Sequence, residues 1–300
     1  MKAIQFDEYG GPEVLHLADV EPPQPGPGEI RIAVRAAGVN GIDGKLRAGF
    51  LKEVMPVTFP SGTGMDAAGV VERLGDGVSG VAVGDRVFGN GGDTVAESAV
   101  LTSWALMPGG LSFDQAAGYP LPAETAIRML RLAAVQPGET LLVSGASGGV
   151  GSAAVQIARA GGVTVIGTAC EPNQDYLRSL GAIPVTYGTG LAGRVRQVAP
   201  GPVDAALDIG GSGAVPELIE ITGDPSRVVS IADFGAAALG AKITTAAEDF
   251  PGALAEVTGL IRRREFAIPV SRFFPLVDAG AAQASCALGH VAGRIVVTVP

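Results

Sequence analysis

TLLVSGASGGVGSAAVQIARAGG, the stretch from Thr140 to Gly162, is the strongest indication of fold in this chain of 300 residues. Its first residues form an apolar run of strand length, its middle consists almost entirely of small residues, and its end has apolar residues at helical spacing. A flexible linker, a structural turn and a phosphate cradle can all be rich in glycine. The apolar run before it and the helical pattern after it exclude the linker and indicate a turn between a strand and a helix.

The small residues of this turn fit a variant of the dinucleotide-binding fingerprint, A-x-G-x-x-G, over Ala146–Gly151. In this register we expect Ala146 to make the tight turn, Gly148 to let a pyrophosphate approach the backbone, and Gly151 to let the helix pack closely on the strand. The free N–H groups and the positive dipole end at the start of the helix would stabilise the phosphates. A glycine-rich turn that binds nothing is the alternative. The residues predicted to bind the dinucleotide here are Ala146, Ser147, Gly148, Gly149, Val150 and Gly151.

The end of the next apolar run, VTVIGTACEPNQ, bears on which dinucleotide binds. Proteins that bind NAD(H) usually have an aspartate or glutamate here, which accepts a hydrogen bond from the ribose 2′-OH. This chain has Ala169 at that position, between Thr168 and Cys170, and we expect all three residues to lie beside the adenosine ribose. The missing carboxylate leaves room for a 2′-phosphate, although no lysine or arginine follows before Arg178 and Glu171 is close. The sequence therefore favours NADP(H), with NAD(H) as the alternative.

The composition of the segments changes twice along the chain. Residues 1–117 contain short apolar runs punctuated by glycine and proline, as in EIRIAVRAAGV, which indicate a barrel or sandwich of strands. Residues 118–265 alternate helical patterns with nearly continuous apolar strands, as in VDAALDIGG, which indicates a parallel sheet covered on both faces. Residues 266–300 are too short for a domain and resemble the first segment again. We therefore expect a doubly wound α/β domain inserted into a β-rich domain.

Composition and charge exclude several classes of protein. Hydrophobic residues make up 47% of the chain and the formal net charge is −9, so we expect a globular protein that does not bind nucleic acid. The one basic cluster, Arg262–Arg264, is interpreted as the solvated end of a helix. Two cysteines do not support a disulfide framework. The first residues lack a secretory signal and no apolar run has the length of a membrane span, so we expect a cytoplasmic protein without membrane interaction.

Five segments carry a family resemblance: AAGVNGIDGKLRAG (Ala36–Gly49), GMDAAGVVERLGDGVSGVAVGDRVFG (Gly64–Gly89), AAGYPLPAETA (Ala116–Ala126), LLVSGASGGVG (Leu141–Gly151) and VDAALDIGG (Val203–Gly211). With them the chain resembles the medium-chain dehydrogenase/reductase superfamily, in its zinc-independent quinone oxidoreductase (zeta-crystallin-like) branch. The resemblance implies a Rossmann doubly wound parallel sheet that binds NADP(H), residues 118–265, inserted into a GroES-like β-barrel catalytic domain, residues 1–117 and 266–300. It also implies a homodimer joined through the Rossmann domains, with a tetramer as the alternative.

The resemblance bears on metal binding as well. Zinc-dependent members carry a cysteine where this chain has Asn40, and a His-Glu pair where it has Met65 and Asp66. Because asparagine and methionine are not usual zinc donors, we expect no zinc and no other catalytic metal. The carbonyl group of an acceptor would then need a hydrogen-bond donor at the oxygen where negative charge develops.

The resemblance assigns that donor to Asn40, whose side-chain amide would bind the carbonyl oxygen. Asp43 belongs to the same predicted catalytic site, where we expect it to orient the loop rather than to transfer a proton. A role for Asp43 in a turn or helix cap alone is the alternative. Phe50 stands where relatives often carry a tyrosine, which implies a more apolar substrate pocket.

Five further residues are assigned to cofactor contacts by the resemblance. Thr125 matches the position whose hydroxyl faces the nicotinamide amide, and Tyr187 matches a residue beside the adenosine phosphate. Ile209 and Ile231 would line the nicotinamide pocket, and Arg294 would lie near the cofactor. A packing role for Tyr187 and the two isoleucines, and a surface position for Arg294, are the alternatives.

The function that the resemblance implies is hydride transfer from NADPH to a small-molecule quinone or another α,β-unsaturated carbonyl. Two alternatives stay open at this point. One is a reductase of enoyl thioesters or alcohols in the same superfamily. The other is a structural or regulatory protein that keeps the fold and binds NADPH without turnover.

Overall fold

The computed structural model describes residues 1–211 and 213–300. Within them, the strands in chain order are β1 Lys2–Phe6, β2 His16–Asp19, β3 Ile30–Gly38, β4 Ser61–Gly62, β5 Asp66–Leu74, β6 Arg86–Gly92, β7 Ser98–Leu106, β8 Thr140–Ser144, β9 Thr164–Thr168, β10 Ile183–Val185, β11 Ala205–Asp208, β12 Val228–Ser230, β13 Lys242–Ile243, β14 Val270–Pro275 and β15 Arg294–Thr298. The helices of the same residues are α1 Gly41–Arg47, α2 Phe113–Ala117, α3 Pro120–Leu132, α4 Gly149–Ala160, α5 Gln174–Ser179, α6 Leu191–Val198, α7 Val215–Thr222, α8 Phe250–Arg262 and α9 Ala279–Ala287.

The chain divides into two compact units. The first, called the barrel unit below, contains Met1–Leu121, Phe250–Thr258 and Ile268–Pro300. The second, called the Rossmann unit, contains Pro122–Asp249 and Gly259–Ala267.

The barrel unit closes around strand β3. Ile30, Ile32 and Val34 alternate along it with less buried residues, so one face of the strand enters a hydrophobic core, as the period of two predicts. One edge of β3 pairs with β5 along its length, and the other edge pairs with β7 at its start and with β15 at its end. Strand β5 also pairs with β6, and β6 pairs with β7. Because β7 pairs with β3 in turn, these strands close into a barrel.

The Rossmann unit contains one parallel sheet with the strand order β10-β9-β8-β11-β12-β13. Strand β8, TLLVS, and strand β11, AALD, are buried along their whole lengths, as expected for a sheet covered on both faces. The chain reverses its direction of winding between these two adjacent strands, and ligands of doubly wound folds bind beside the carboxyl ends of strands at such a point. The predicted doubly wound parallel sheet is therefore confirmed, and it places the turn after β8 at that edge.

Candidate functional site

The turn between β8 and α4 is formed by a glycine that the sequence analysis did not single out. Gly145 has a φ of +84°, in the left-handed region that glycine adopts readily, and a Cβ there would lie 2.9 Å from the backbone nitrogen of Gly210. The expectation that Ala146 makes the tight turn is wrong, because the positive φ belongs to the residue before it. Ala146 is instead fully buried, and its N–H donates to the carbonyl oxygen of Thr168 at 3.0 Å.

Two later glycines of the turn have different surroundings. A Cβ on Gly148 would have a single neighbour within 4 Å, the carbonyl oxygen of Gly145 at 4.0 Å, so the backbone there faces open space. A Cβ on Gly151 would overlap that same carbonyl oxygen and would lie 2.6 Å from the Cα of Ala146. Gly151 is therefore required for the close packing of α4, whereas Gly148 leaves room for a group outside the chain.

The start of α4 presents backbone N–H donors to such a group. Gly148 holds the position before the helix and has no side chain that could accept from the first-turn N–H groups, among them those of Gly149 and Val150. Ser147 is half-buried beside them, and the hydroxyl of Ser152 donates to its carbonyl oxygen at 3.2 Å. An open approach at a glycine and free N–H groups at a helix start are what a pyrophosphate requires, so the residues present fit a dinucleotide.

The end of β9 lies next to this turn but is less accessible than expected. The hydroxyl of Thr168 accepts from the N–H of Gly145 at 3.0 Å, so this side chain holds the turn to the neighbouring strand. Ala169 is only 2% exposed, and its N–H donates to the carbonyl oxygen of Val185 at 3.1 Å. Cys170 is the first residue of the three that is partly exposed. Any contact of these residues with a ribose stays a prediction, with Cys170 best placed to make it.

Tyr187 lies in the loop after β10 and is 44% exposed. It lines a cavity of about 480 Å³ together with Ser144 and Glu217, at the same edge of the sheet as the glycine turn. The guanidinium of Arg194 donates to carbonyl oxygens of the loop 186–189 over distances of 2.6 to 3.0 Å. The loop that presents Tyr187 is therefore fixed by a side chain of the following helix.

Ile209 and Ile231 follow β11 and β12 directly and are half-buried. Their N–H groups donate to the carbonyl oxygens of Ser144 and Asp208, at 3.0 and 3.1 Å, which aligns the two strand ends. The Asp208 carboxylate also accepts from the hydroxyl of Ser230 at 2.8 Å, and burial raises the pKa of this carboxyl. These contacts place both isoleucines at the same edge of the sheet. Thr125, by contrast, is buried within α3.

A second group of polar side chains lies in the barrel unit, and it is called the Asn40 cluster: Asn40, Asp43, Asp66 and Arg294. Asp66 begins β5 and Arg294 begins β15, and β3 pairs with both strands. Because Gly38 at the end of β3 lies opposite Asp66, the sheet register brings residues far apart in the sequence to one end of the barrel.

The side-chain amide of Asn40 is hydrogen-bonded on both sides. Its Nδ2 donates to Oδ2 of Asp66 at 3.0 Å, and its Oδ1 accepts from Nη2 of Arg294 at 2.9 Å. Its backbone N–H donates to Oδ2 of Asp43 at 2.8 Å, across the first turn of α1. Each of the four residues is at most 6% exposed, so these contacts operate away from bulk water.

Burial governs the charges of the cluster. It raises the pKa of Asp43 to about 7, against the opposing hydrogen bond from Asn40 and with further help from the nearby charge of Asp66. It raises the pKa of Asp66 to about 6, opposed by Arg294, by Asn40 and by the backbone N–H of Leu121. Oδ1 of Asp43 is buried without a hydrogen-bond partner in the described part of the chain. Asp43 is therefore the carboxyl group of the pair that more readily keeps a proton near neutral pH.

The cluster contains residues for which the sequence predicts different roles. Asn40 and Asp43 were expected together, whereas Arg294 was expected near the cofactor. Its guanidinium contacts Asn40 and Asp66 in the barrel unit, and the cofactor contact stays a prediction. Asp66 was missed as a functional residue, although a carboxylate at the buried start of a strand could have signalled it. Phe50 follows α1 and is 81% exposed, so its place in a substrate pocket also stays a prediction.

Across residues 1–211 and 213–300, no group of three or more His, Cys, Asp or Glu side chains is arranged to hold a metal ion. Among the helices of that part of the chain, none combines the length and the apolar character that crossing a bilayer requires.

Two regions of the chain match known protein families. Residues 26–113 match the family described as "Alcohol dehydrogenase GroES-like domain", and residues 149–245 match the family described as "Zinc-binding dehydrogenase". Among curated proteins, the chain is 41% identical to a quinone oxidoreductase of Sus scrofa over 191 residues, which is 61% of this chain and 57% of the relative. The matches thus span little more than half the length of the curated relatives.

Solved structures are similar over nearly all of the chain, among them two quinone oxidoreductases. A quinone oxidoreductase from Coxiella burnetii is 32% identical with a TM-score of 0.86, and the similarity covers 100% of this chain and 99% of that one. A quinone oxidoreductase of Escherichia coli, complexed with NADPH, is 26% identical with a TM-score of 0.86, over 99% of this chain and 100% of that one.

Proposed function

This chain belongs to the medium-chain dehydrogenase/reductase superfamily, in its quinone oxidoreductase branch, and we propose that it transfers hydride from NADPH to a quinone or another α,β-unsaturated carbonyl without zinc. The observation that carries the proposal is the turn after β8. Gly148 faces open space there, and as the residue before α4 it has no side chain that could accept from the first-turn N–H groups. When bound, the reduced nicotinamide supplies the hydride, and the chain supplies position and polarity.

The preference for NADPH over NADH rests on the end of β9. Thr168 and Ala169 are buried and uncharged, and Cys170 is the partly exposed residue, so no carboxylate at this strand end repels a 2′-phosphate. Glu171 is exposed one residue further on, and this carboxylate and the lack of a lysine or arginine before Arg178 favour NADH. We therefore propose NADP(H) as the cofactor, with NAD(H) used less efficiently.

The proposal that zinc is not needed rests on donor chemistry. The positions that carry cysteine and histidine in zinc-dependent relatives hold Asn40 and Met65, which are not among the usual zinc donors. Asp66 is a carboxylate, but it already accepts hydrogen bonds from Asn40 and from the N–H of Leu121, both at 3.0 Å. A hydrogen bond from the Asn40 amide would then stabilise the negative charge that develops on the acceptor's carbonyl oxygen.

Two broader parts of the proposal follow from the family. We propose a homodimer joined through the Rossmann units and a cytoplasmic location. Light scattering of the purified protein at several concentrations tests the first part, because a homodimer has a mass of about twice the 30.1 kDa of one chain. A mass that stays at one chain would contradict it.

The test of function is oxidation of NADPH, followed by absorbance, with a panel of quinones, enones and enoyl thioesters. We expect turnover with at least one quinone or enone, and a lower kcat/KM when NADH replaces NADPH. Turnover with an enoyl thioester alone would favour a reductase of enoyl thioesters instead. Tight NADPH binding with no turnover on any acceptor would point to a non-catalytic protein and would overturn the proposal.

A matched pair of variants ties the activity to the turn. Gly148 and Gly193 both have room for a larger side chain, with no neighbour closer than 4.0 Å to an added Cβ and no positive φ. We expect Gly148→Val to weaken NADPH binding at least about tenfold, because it fills the approach to the backbone and costs at least one charge-assisted hydrogen bond. Gly193→Val, in α6, should bind NADPH like the wild type. Equal affinities in both variants would contradict binding at this turn.

A further inference from the structure

The amide of Asn40 lies between one group that can only accept and one that can only donate. An ionised carboxylate such as Asp66 has no proton to give, and the guanidinium of Arg294 has no lone pair to offer. The observed contacts match these limits, since Nδ2 faces Asp66 and Oδ1 faces Arg294. A rotation of the amide by 180° would set two donors against each other and two acceptors against each other. The partners therefore fix the orientation of the amide on chemical grounds.

Both partners of Asn40 are themselves held in place. The second carboxylate oxygen of Asp66 accepts from the N–H of Leu121, in the first turn of α3, at 3.0 Å. The side chain of Arg294 passes close to two glycines, because a Cβ on Gly38 would lie 3.0 Å from Nη2 and a Cβ on Gly118 would lie 3.0 Å from Cγ. Neither partner can follow the amide if it turns.

We propose that Asp66 and Arg294 are positioning residues that lock the Asn40 amide, so that its second N–H, and never its oxygen, is presented to the carbonyl oxygen of the acceptor. This inference rests on the proposed function, in which Asn40 stabilises that oxygen. Nδ2 carries two hydrogen atoms, and it donates one of them in its hydrogen bond to Asp66. A donor held in advance needs no reorganisation when charge develops, which is where such groups contribute most to the rate.

The test exchanges the two side chains in the double variant Asn40→Asp/Asp66→Asn. The new amide at position 66 can accept from Leu121 through its oxygen and donate to position 40 through its nitrogen. The new carboxylate at position 40 can accept both that hydrogen bond and the one from Arg294. Net charge and hydrogen-bond count are unchanged, while the donor facing the acceptor is lost. The single variants Asp66→Asn and Asn40→Asp serve as the mismatched controls.

If the proposal is correct, each single variant unfolds at least about 5 °C below the wild type, and the double variant returns to within about 3 °C of it. The double variant should also bind NADPH with the wild-type dissociation constant but lose at least about 100-fold in kcat. A purely structural role for the cluster predicts recovery of activity together with stability, so the two readouts separate the interpretations.

Two results would overturn the proposal. One is a double variant with kcat within threefold of the wild type, which would show that a donor at position 40 is not needed. The other is a double variant as unstable as the single ones, which would show that the complementary pairing does not hold the amide. A wild-type protein that turns over no acceptor would overturn the proposed function instead, and the melting temperatures would still decide whether the pairing holds.

Discussion

The glycine turn of the Rossmann unit and the Asn40 cluster of the barrel unit differ in the atoms that form them. The turn uses backbone atoms and the absence of side chains, and its key positions are consecutive from Gly145 to Gly151. The cluster uses charged and amide side chains that come from β5, β15 and the residues around the start of α1. The first leaves space for a ligand, whereas in the second each polar side chain is at least nine-tenths buried.

The two sites should therefore fail in different ways. A backbone cradle tolerates a new side chain if space allows and loses its ligand while the fold survives. A buried charge cluster has no such tolerance, because removing one member leaves another charge without compensation. The following variants test that contrast, beginning with the largest expected effect.

Removal of the one guanidinium in the Asn40 cluster should be the most damaging. We expect Arg294→Gln to lower the free energy of unfolding by about 3–5 kcal/mol at pH 8, because Asp66 is left as a buried charge without its ion partner. The loss should be smaller at pH 5, where Asp66 can take up a proton. Chemical denaturation at the two pH values measures both effects.

Arg35→Gln is the matched control for this variant. Arg35 lies on β3 in the same unit, is exposed and donates to the carbonyl oxygen of Pro300. Its substitution should change the free energy of unfolding by no more than about 0.5 kcal/mol. If the two arginine variants were equally stable, Arg294 would not hold a buried carboxylate.

Within the glycine turn, two alanine substitutions should differ sharply. Gly151→Ala should lower the free energy of unfolding by about 2–3 kcal/mol, because its Cβ overlaps the carbonyl oxygen of Gly145. Gly148→Ala should be nearly neutral, since its Cβ enters open space and its φ of −74° suits any residue. Thermal unfolding compares the two variants. Equal losses of stability would contradict the view that Gly151 is needed for packing and Gly148 is not.

The cluster should also give stability a pH dependence that the turn lacks. Asp43 keeps its proton in the folded chain up to a pKa of about 7, while the unfolded carboxyl releases it near 3.8, so the folded state binds more protons between these values. The free energy of unfolding therefore falls as pH rises through this range, by at most about 1.4 kcal/mol per pH unit. The charged and titratable groups around Asp43 are Asp66, Arg294 and Cys286.

Asp43→Asn tests this dependence directly. The new amide oxygen can still accept from the N–H of Asn40, but the group no longer titrates. We expect the fall in stability between pH 6 and pH 7 to shrink, while the part that Asp66 contributes below pH 6 remains. Denaturation curves at half-unit pH intervals measure the change, and an unchanged slope would mean that Asp43 is ionised throughout.

The same contrast explains how much the sequence could predict. The parallel sheet and the glycine turn were predictable because each depends on residues close together in the chain. The position of the tight turn was wrong by one residue, since the motif alone does not reveal that Gly145, rather than Ala146, has the positive φ. Asp66 was missed because its role depends on strand register, which brings it to Asn40 from 26 residues away. The domain boundaries after residues 117 and 265 remain predictions.

One measurement tests whether the cofactor binds at the glycine turn rather than at the Asn40 cluster. It is the dissociation constant of NADPH, followed by the fluorescence of NADPH. It compares the wild type, Gly148→Val and the double variant Asn40→Asp/Asp66→Asn. We predict that the wild type binds, that Gly148→Val binds at least about tenfold more weakly, and that the double variant binds like the wild type. No binding by the wild type, or equal affinity in the wild type and Gly148→Val, would contradict a cofactor site at the glycine turn.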